Sequence, residues 1–193
     1  MNKQSLMQKA LGDQWQQLPP ALKSHYQHNS NSDIGYLNIE YPIYMHPYLT
    51  FLHLFGALIN RRGKNIATTV EKHMQGNIQF WKRTIYFPRN KTILFNSFWI
   101  VDRKNELIEF INPFIGLRMT VQVQKDKLYY EGCHFVVKIG KFLIPIPEWL
   151  LLGHTTITET ALSDSEFEMD FTLKHPLFGN IFRYSGKFKN ISK

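Results

Sequence analysis

The sequence contains a single cysteine, Cys133, among its 193 residues. One cysteine excludes an internal disulfide and any cysteine-rich zinc or iron–sulfur site, so cysteine usage requires no oxidising compartment. The first 15 residues carry Lys3, Lys9 and Asp13 and several glutamines without a continuous apolar core, which is unlike a secretory signal. Together these absences predict a cytoplasmic protein.

Long apolar runs are also lacking. The two most apolar stretches, residues 48–59 and 142–152, fall well short of the roughly 20 apolar residues that cross a bilayer. The second stretch is further interrupted by Pro145, Pro147 and Glu148. We therefore expect no transmembrane segment.

Basic residues outnumber acidic ones, with a formal net charge of +8, but they are dispersed. Dense basic groups occur only at residues 61–64 and at Lys187, Lys189 and Lys193 near the C-terminus. Neither group is interleaved with aromatic side chains, as a base-stacking surface would require. We expect no nucleic-acid partner.

Metal-ligand spacings of the His-x-x-x-His or Cys-x-x-Cys type are absent as well. Glu71 and His73, two residues apart on one strand face, would serve as two metal ligands or as a base with its orienting group. No third ligand accompanies them in the sequence, so we predict neither a metal site nor another cofactor.

What the sequence has in excess is aromatic residues, at 15%, arranged in β-like segments from residue 66 onward. These segments are rich in β-branched and aromatic residues and are separated by short turn sequences, which predicts antiparallel pairing of neighbours. They cover residues 67–74, 78–87, 92–101, 107–111, 117–124, 128–139, 155–160, 167–173 and 181–188.

Alternation along these segments indicates sheets with one polar face, as where Leu117, Met119 and Val121 oppose Arg118 and Thr120. Long exposed sheet edges invite aggregation, so the strands must close into a barrel or curl around a covering helix. The predicted fold is α+β and mainly antiparallel β, a curved sheet or closed β-barrel of about eight or nine strands, lipocalin-like or helix-grip-like.

The N-terminal third is predicted to cover this sheet. Its pattern indicates two short helices in the first 28 residues, a polar loop at 29–33, a strand at 36–43 and an apolar helix from Pro47 to about Ile59. We expect a single domain over residues 1–193, with a mainly helical part at 1–60 and a β part at 66–190.

Short motifs along nearly the whole chain resemble those of a bacterial domain-of-unknown-function family, number four-one-six-six. They are Leu11-Gly12, Trp15, Leu18-Pro19, Trp81-Lys82-Arg83, Leu107-Ile108-Glu109, Ile144-Pro145-Ile146-Pro147, His175-Pro176-Leu177-Phe178-Gly179 and Tyr184-Ser185-Gly186. The sequence departs from the family pattern by lacking a Gly-rich turn around Lys125-Asp126-Lys127. The resemblance implies occurrence alone or fused to reductase-like and saccharopine-dehydrogenase-like proteins, and it assigns no activity.

Arg83 and Glu109 are the first candidate site residues. Each shares its strand face with apolar neighbours, so both charges are expected to point into an apolar interior. Three interpretations remain open: they pair with each other, one of them is solvated because its strand is two-sided, or Arg83 holds the carboxylate or phosphate of a ligand.

The segment around Cys133 offers a second candidate. Alternation places His134 with Tyr130 on one face and Cys133 with Glu131 on the other, which argues against a Cys–His nucleophile pair. We predict that Cys133 is a small buried residue.

Residues 141–153 and the C-terminal motif are interpreted structurally. Two prolines exclude a regular central strand from 141–153, so we expect an apolar loop or short helix that caps the barrel or borders a portal. His175-Pro176 is expected to fix the backbone at a strand end and Gly179 to allow the reversal, while Tyr184 is expected to place its ring inside with its hydroxyl hydrogen-bonded.

Three functions are compatible with this pattern. The first is a noncatalytic module that binds a hydrophobic or amphipathic small molecule inside the barrel. The second is an enzyme, such as a hydrolase, isomerase or cyclase acting on a lipid-like substrate through Glu71, His73, Arg83 or Glu109. The third is an interaction module that docks on a reductase-like partner or forms a homodimer. Candidate ligand-binding residues are Arg83, Glu109, Trp81, Trp99, Tyr130, His134, Trp149 and Tyr184, with Phe95 as a further wall residue.

Overall fold

The computed structural model describes residues 4–191, which form eleven strands and four short α-helices. The helices are α1 (Leu6–Leu11), α2 (Pro20–Gln27), α3 (His46–His53) and α4 (Glu148–Leu151), and 3₁₀ turns cover Gly12–Gln17 and Ile43–Met45. The strands are β1 (Ser30–Glu40), β2 (Gly63–Gln75), β3 (Ile78–Phe87), β4 (Lys91–Arg103), β5 (Glu106–Phe110), β6 (Ile115–Gln124), β7 (Lys127–Ile139), β8 (Phe142–Ile146), β9 (His154–Ala161), β10 (Glu166–His175) and β11 (Gly179–Asn190).

The strands form one antiparallel sheet in the order β6-β5-β4-β3-β2-β1-β11-β10-β9-β7-β8, and β6 also pairs with β7. That last pairing closes ten strands into a barrel and leaves β8 outside. The predicted barrel class is therefore confirmed. Its strand number was underestimated, because β1 lies between β2 and β11 as a full member of the wall.

The first strand begins earlier than expected. Residues 29–33 look like a polar loop, yet β1 already starts at Ser30. The amide of Asn31 donates to the main-chain oxygen of His25 and to the carboxylate of Asp33, at 3.1 and 3.0 Å. The first contact reaches α2, the second lies within β1, and together they satisfy a buried amide that would otherwise be costly to bury.

The N-terminal helices close one end of the barrel, here called the base. Ser5 and Gln8 form a capping box at the start of α1, and Pro20 occupies the first turn of α2. Both helices bury their apolar faces against the barrel core. The two helices expected in this region are thus present.

The opposite end, here called the mouth, is covered by residues 46–59, the lid segment. Its helix, α3, ends at His53 rather than near Ile59, because Gly56 turns the chain with a φ of +76°. The Asn112 amide donates to the Phe55 oxygen, and the Tyr48 hydroxyl donates to the Leu151 oxygen. The covering role predicted for this segment holds, although the helix is shorter.

The seam between β7 and β9 is only half closed by main chain. β9 pairs with Lys127 to Glu131 of β7, whereas β8 pairs with Phe135 to Ile139. In the gap, the Glu148 carboxylate at the start of α4 accepts a hydrogen bond from the Thr155 amide at 3.1 Å. Residues 141–153, predicted as a loop or short helix, thus form β8 and α4, and Pro145 is tolerated because β8 is an outer strand.

No helix within residues 4–191 is long and apolar enough to span a membrane, as the sequence led us to expect.

Candidate functional site

The barrel interior contains two cavities, stacked between mouth and base. The larger, near the mouth, has a volume of about 310 Å³, and the smaller, near the base, about 40 Å³. Glu109 and Tyr184 line both cavities. These two side chains therefore stand at the boundary between the cavities.

The larger cavity is almost wholly apolar. Its cover comes from the lid segment and from α4, and its wall from β4 to β7 and from β9 to β11. Phe51 and Phe55 line it and are also 55% and 48% exposed. These two side chains of the lid segment therefore face both the cavity and the solvent. The lining residues are Phe51, Leu52, Phe55, Ala57, Leu58, Phe95, Glu109, Ile111, Ile115, Gly116, Leu117, Phe135, Leu151, Leu152, Thr155, Phe171, Leu173 and Tyr184.

Three polar side chains form a layer at the boundary. The Arg83 guanidinium donates to Ser97 Oγ at 2.8 Å and to Glu109 Oε1 at 3.2 Å, and Ser97 Oγ donates to the same carboxylate oxygen at 2.6 Å. The guanidinium also lies 5.2 Å from the ring centre of Phe95. The first interpretation of the Arg83–Glu109 pair, a mutual ion pair facing the interior, is confirmed.

Tyr184 presents a hydroxyl at the same boundary. Its ring stacks on Phe171 with 4.5 Å between ring centres, and burial raises the pKa of its phenol well above the ordinary value. Within residues 4–191 this hydroxyl makes no hydrogen bond, contrary to the expectation that it is hydrogen-bonded. It is thus a neutral group, free to bind a polar atom of a ligand.

The smaller cavity holds a chain of buried hydroxyls that ends on a carboxylate. Tyr26 Oη donates to Glu159 Oε1 and Oε2 at 2.8 and 2.9 Å, and Tyr130 Oη lies 2.8 Å from Tyr26 Oη. Since Tyr26 has one proton to give, Tyr130 donates to Tyr26. Burial raises the pKa of Glu159, and nearby His25 acts in the opposite direction.

Two indole groups border the smaller cavity without an acceptor. Trp81 and Trp99 both line it, and the buried Nε1 atom of each has no hydrogen-bond partner in the described part of the chain. A buried donor left unpaired costs free energy, so such groups are usually paired with water or a ligand. A volume of about 40 Å³ exceeds the roughly 10–15 Å³ that one water needs.

A cluster of buried polar side chains from α2, β1 and β2 lies at the base, and two of its members, His25 and Asp33, line this cavity. His25 Nδ1 is 2.7 Å from Asp33 Oδ2, and Lys72 Nζ donates to the His25 main-chain oxygen at 2.5 Å. Burial lowers the pKa of Lys72 to about 8, although Asp33 acts in the opposite direction. Lys72 does not line either cavity. We regard it as part of the support for the base rather than as a site residue.

Six of the eight candidate ligand-binding residues line a cavity. They are Arg83, Glu109, Trp81, Trp99, Tyr130 and Tyr184, and the wall candidate Phe95 lines the larger cavity. Trp149 instead lies 60% exposed at the surface of α4. His134 also lies outside both linings. These positions establish proximity to a cavity and leave ligand contact a prediction.

A β-bulge explains His134 and a second discrepancy. Arg118 pairs with His134 but Met119 pairs with Gly132, so Cys133 is an extra residue in β7. The extra residue shifts the alternation by one, and Phe135 rather than His134 joins Tyr130 in lining the interior. Cys133 is exposed, so the prediction that it is buried is wrong.

Glu71 and His73 lie on the outside of the barrel. Glu71 forms an exposed ion pair with Lys82 at 2.8 Å, and His73 stacks on Phe80. No group of three or more potential metal ligands occurs within residues 4–191. The pair therefore has no access to the barrel interior.

The C-terminal motif orders the mouth. Because the Leu177 amide donates to His175 Nδ1 at 3.1 Å, the proton of the ring lies on Nε2, which donates to the Trp149 oxygen at 2.9 Å. Gly179 begins β11 with a φ of +68°. His175 thereby fastens α4 to the end of β10, in agreement with the structural interpretation.

Sequence reasoning missed Glu159 and its tyrosine partners at the base. A signal was present, because Glu159 shares a strand face with Ile157 and Thr155, as Glu109 does with Leu107. Strand alternation could not identify Tyr26, because this residue lies in α2 and not in a strand.

Comparison with known protein families gives a match over nearly the whole chain. The model of a family described as Domain of unknown function (DUF4166) matches residues 18–188, nearly the whole chain. No curated protein matches the chain.

Proposed function

The chain belongs to the DUF4166 family, and we propose that its β-barrel binds a hydrophobic or amphipathic small molecule in the cavity near the mouth. The family carries no assigned activity, so support has to come from the barrel itself. The observation that carries the proposal is an apolar cavity of about 310 Å³ with a polar layer at its inner end.

The cavity volume sets the size of the ligand. Binding sites for small molecules usually measure about 300–1,000 Å³, and this cavity is at the lower limit. An apolar cavity of about 150 Å³ holds one benzene molecule, so this one has room for on the order of ten to twelve carbon atoms. A medium-length acyl chain or a compact terpenoid fits, and a two-chain lipid does not.

The polar layer suggests an orientation. An apolar body lying against Leu117, Phe171 and Leu173 would direct a polar end toward Glu109 and Tyr184. The Tyr184 hydroxyl is a free donor, and Glu109 keeps acceptor capacity beyond its bonds to Arg83 and Ser97. A ligand ending in a hydroxyl or amide satisfies both groups, whereas a carboxylate would approach the like charge of Glu109.

Native mass spectrometry of protein purified from its own host, followed by organic extraction, tests the proposal. We expect one small apolar molecule per chain. Leu117→Trp, which fills the cavity, should abolish this mass, whereas Leu94→Trp on the outer surface should leave it unchanged. Absence of a bound molecule, together with failure to bind any member of a panel of medium-chain alcohols, amides and acids, would refute it.

An enzyme is the second candidate, favoured by one observation. The chain from Tyr130 through Tyr26 to Glu159 borders the smaller cavity, and buried carboxyl groups with raised pKa values are typical general acids and bases. If the barrel acts chemically on its ligand, Tyr130→Phe should leave ligand affinity intact and abolish turnover. A bound molecule recovered unchanged from both proteins would instead favour binding alone.

Three further expectations stay predictions. They are docking on a reductase-like partner, formation of a homodimer and a cytoplasmic location.

A further inference from the structure

The mouth of the barrel concentrates exposed apolar side chains. Among residues 4–191, nineteen large hydrophobic residues are exposed, and thirteen of them lie at this end. They come from the lid segment and its approach, the β5–β6 turn, the β7–β8 hairpin, α4 and the β10–β11 turn. The thirteen are Ile43, Tyr44, Phe51, Leu54, Phe55, Phe114, Ile139, Phe142, Ile144, Trp149, Leu150, Leu177 and Phe178.

The same end is strongly basic. The mouth connections, residues 40–64, 88–91, 111–115, 138–154 and 174–179, contain eight lysines and arginines but only two carboxylates, Glu40 and Glu148. Glu148 is buried and bonded to Thr155 and His154. The basic residues are Arg61, Arg62, Lys64, Arg89, Lys91, Lys138, Lys141 and Lys174.

The β7–β8 hairpin combines both properties at its tip. Phe142 is 77% exposed and Ile139 59%, and both are flanked by the exposed lysines Lys138 and Lys141. The hairpin extends past the end of β6, since Ile115, the first residue of β6, pairs with Val137. Apolar tips surrounded by lysines are suited to the boundary between lipid headgroups and acyl chains.

We propose that the mouth of the barrel docks on the surface of an anionic lipid bilayer, with the β7–β8 hairpin and Trp149 entering the headgroup region. This docking goes beyond ligand binding and does not require an occupied cavity. It places the lid segment, which covers the apolar cavity, against the membrane surface.

The form of the apolar surface favours a bilayer over a protein partner. The thirteen side chains arise from several separate connections around a rim, and basic residues lie in some of the same connections, as at Lys138 and Lys141. A protein interface needs a continuous, complementary patch, with charged residues depleted from its core. A fluid bilayer adapts to separate apolar tips, and its anionic headgroups attract each nearby basic residue.

Flotation with lipid vesicles tests the proposal. Ligand-free protein should bind vesicles of phosphatidylcholine mixed with phosphatidylglycerol, and bind vesicles of phosphatidylcholine alone far more weakly. High salt should weaken the binding, because it screens the attraction between lysines and anionic headgroups. Trp15, Trp81 and Trp99 are buried, so a blue shift of tryptophan fluorescence on binding would report Trp149, and Trp149→Phe should remove it.

A matched pair of variants at the two ends of β7 separates the effect of local charge at the mouth from the effect of total charge. Lys138→Glu/Lys141→Glu alters the mouth end of β7, and Lys125→Glu/Lys127→Glu makes the same change in total charge at its base end. We expect the first to weaken vesicle binding more than about tenfold, given the contribution of each basic residue near an anionic surface. The second should change it less than about threefold, because its lysines lie away from the mouth.

Equal losses in both double variants would overturn the proposal, as would a lack of binding to anionic vesicles. A dimer in gel filtration that Lys138→Glu/Lys141→Glu dissociates, without vesicle binding, would assign the mouth to a second copy instead. Because vesicle binding uses ligand-free protein and ligand binding is measured without vesicles, failure of one leaves the other standing.

Discussion

Tyr26 and Glu159 meet inside the barrel although they are 133 positions apart in the chain. The phenol, carried by α2, donates to both oxygens of the carboxylate, carried by β9. This buried contact therefore links α2, which closes the base, to β9 in the barrel wall. The cost of burying the carboxylate makes this contact sensitive to pH.

Glu159→Gln should alter how stability depends on pH. Burial raises the pKa of Glu159, so its carboxyl group favours the folded state most at low pH, and that contribution is lost as the pH rises from its unfolded pKa through the raised folded value. Relative to the variant, wild type should therefore lose stability on going from mildly acidic to neutral pH. Urea unfolding of both proteins measures this difference, with Glu131→Gln on the exposed part of β7 as the control. Parallel pH profiles for wild type and Glu159→Gln would contradict the assignment.

At alkaline pH, Lys72 should make stability rise with pH, opposite to the effect of Glu159. Its folded pKa is about 8, against about 10.4 when unfolded, so the unfolded chain binds more protons between these values and stability rises with pH. From about pH 7.5 to about pH 9.5 the gain should be about 2 kcal/mol, and Lys72→Met should lack it. Lys187→Met, on the barrel exterior, should keep it.

The measurement on Lys72 has to stop below about pH 10, where tyrosines ionise in the unfolded chain. Burial raises the pKa values of Tyr26, Tyr130 and Tyr184, so these phenols stay protonated in the folded state while the unfolded chain loses protons. Stability therefore falls with further increase in pH. A rise between pH 8 and 10 that persists in Lys72→Met would exclude Lys72 as its source.

Arg83→Met should destabilise the barrel by about 2 kcal/mol, because the Glu109 carboxylate is left mostly buried with Ser97 as its remaining partner. Arg83→Met/Glu109→Leu should recover most of that loss, since the unpaired charge is gone. Chemical unfolding of the four proteins in the double-mutant cycle gives the coupling. The control is Lys82→Met, next to Arg83 in β3, which breaks the exposed ion pair with Glu71. It should not measurably change the free energy of unfolding.

Gly132→Ala should loosen α4. A Cβ atom at this position would lie 1.8 Å from Glu148 Oε1, so the carboxylate must move and give up its bonds to the Thr155 amide and His154. We expect a loss of about 2 kcal/mol in unfolding free energy. In a Glu148→Ala background the same substitution should cost little, because its methyl group enters vacated space. Equal costs in both backgrounds would show that backbone strain, not the carboxylate, is responsible.

The sequence predicted the barrel class and some of the side chains that point into its interior. The side chains that it missed have a physical explanation. Alternation in β3 and β5 predicted that Arg83 and Glu109 point inside, because period-two patterns survive wherever the strand is regular, but it left open whether they pair with each other. The bulge at Cys133 broke the pattern in β7 and sent Phe135 inward in place of His134. The Glu148 carboxylate lies against Gly132 beside this bulge, and local sequence does not specify that contact.

The half-closed seam between β7 and β9 gives the barrel wall a weak point. Along most of the wall, neighbouring strands share a ladder of main-chain hydrogen bonds that opens as a unit, whereas above Glu131 a single carboxylate bridges the gap to Thr155. In deuterium exchange, the Thr155 amide should therefore exchange through small local fluctuations, and its neighbours deeper in β9 only through cooperative opening. Beside the larger cavity the wall is thus closed at this point by α4 and a side chain rather than by paired main chain.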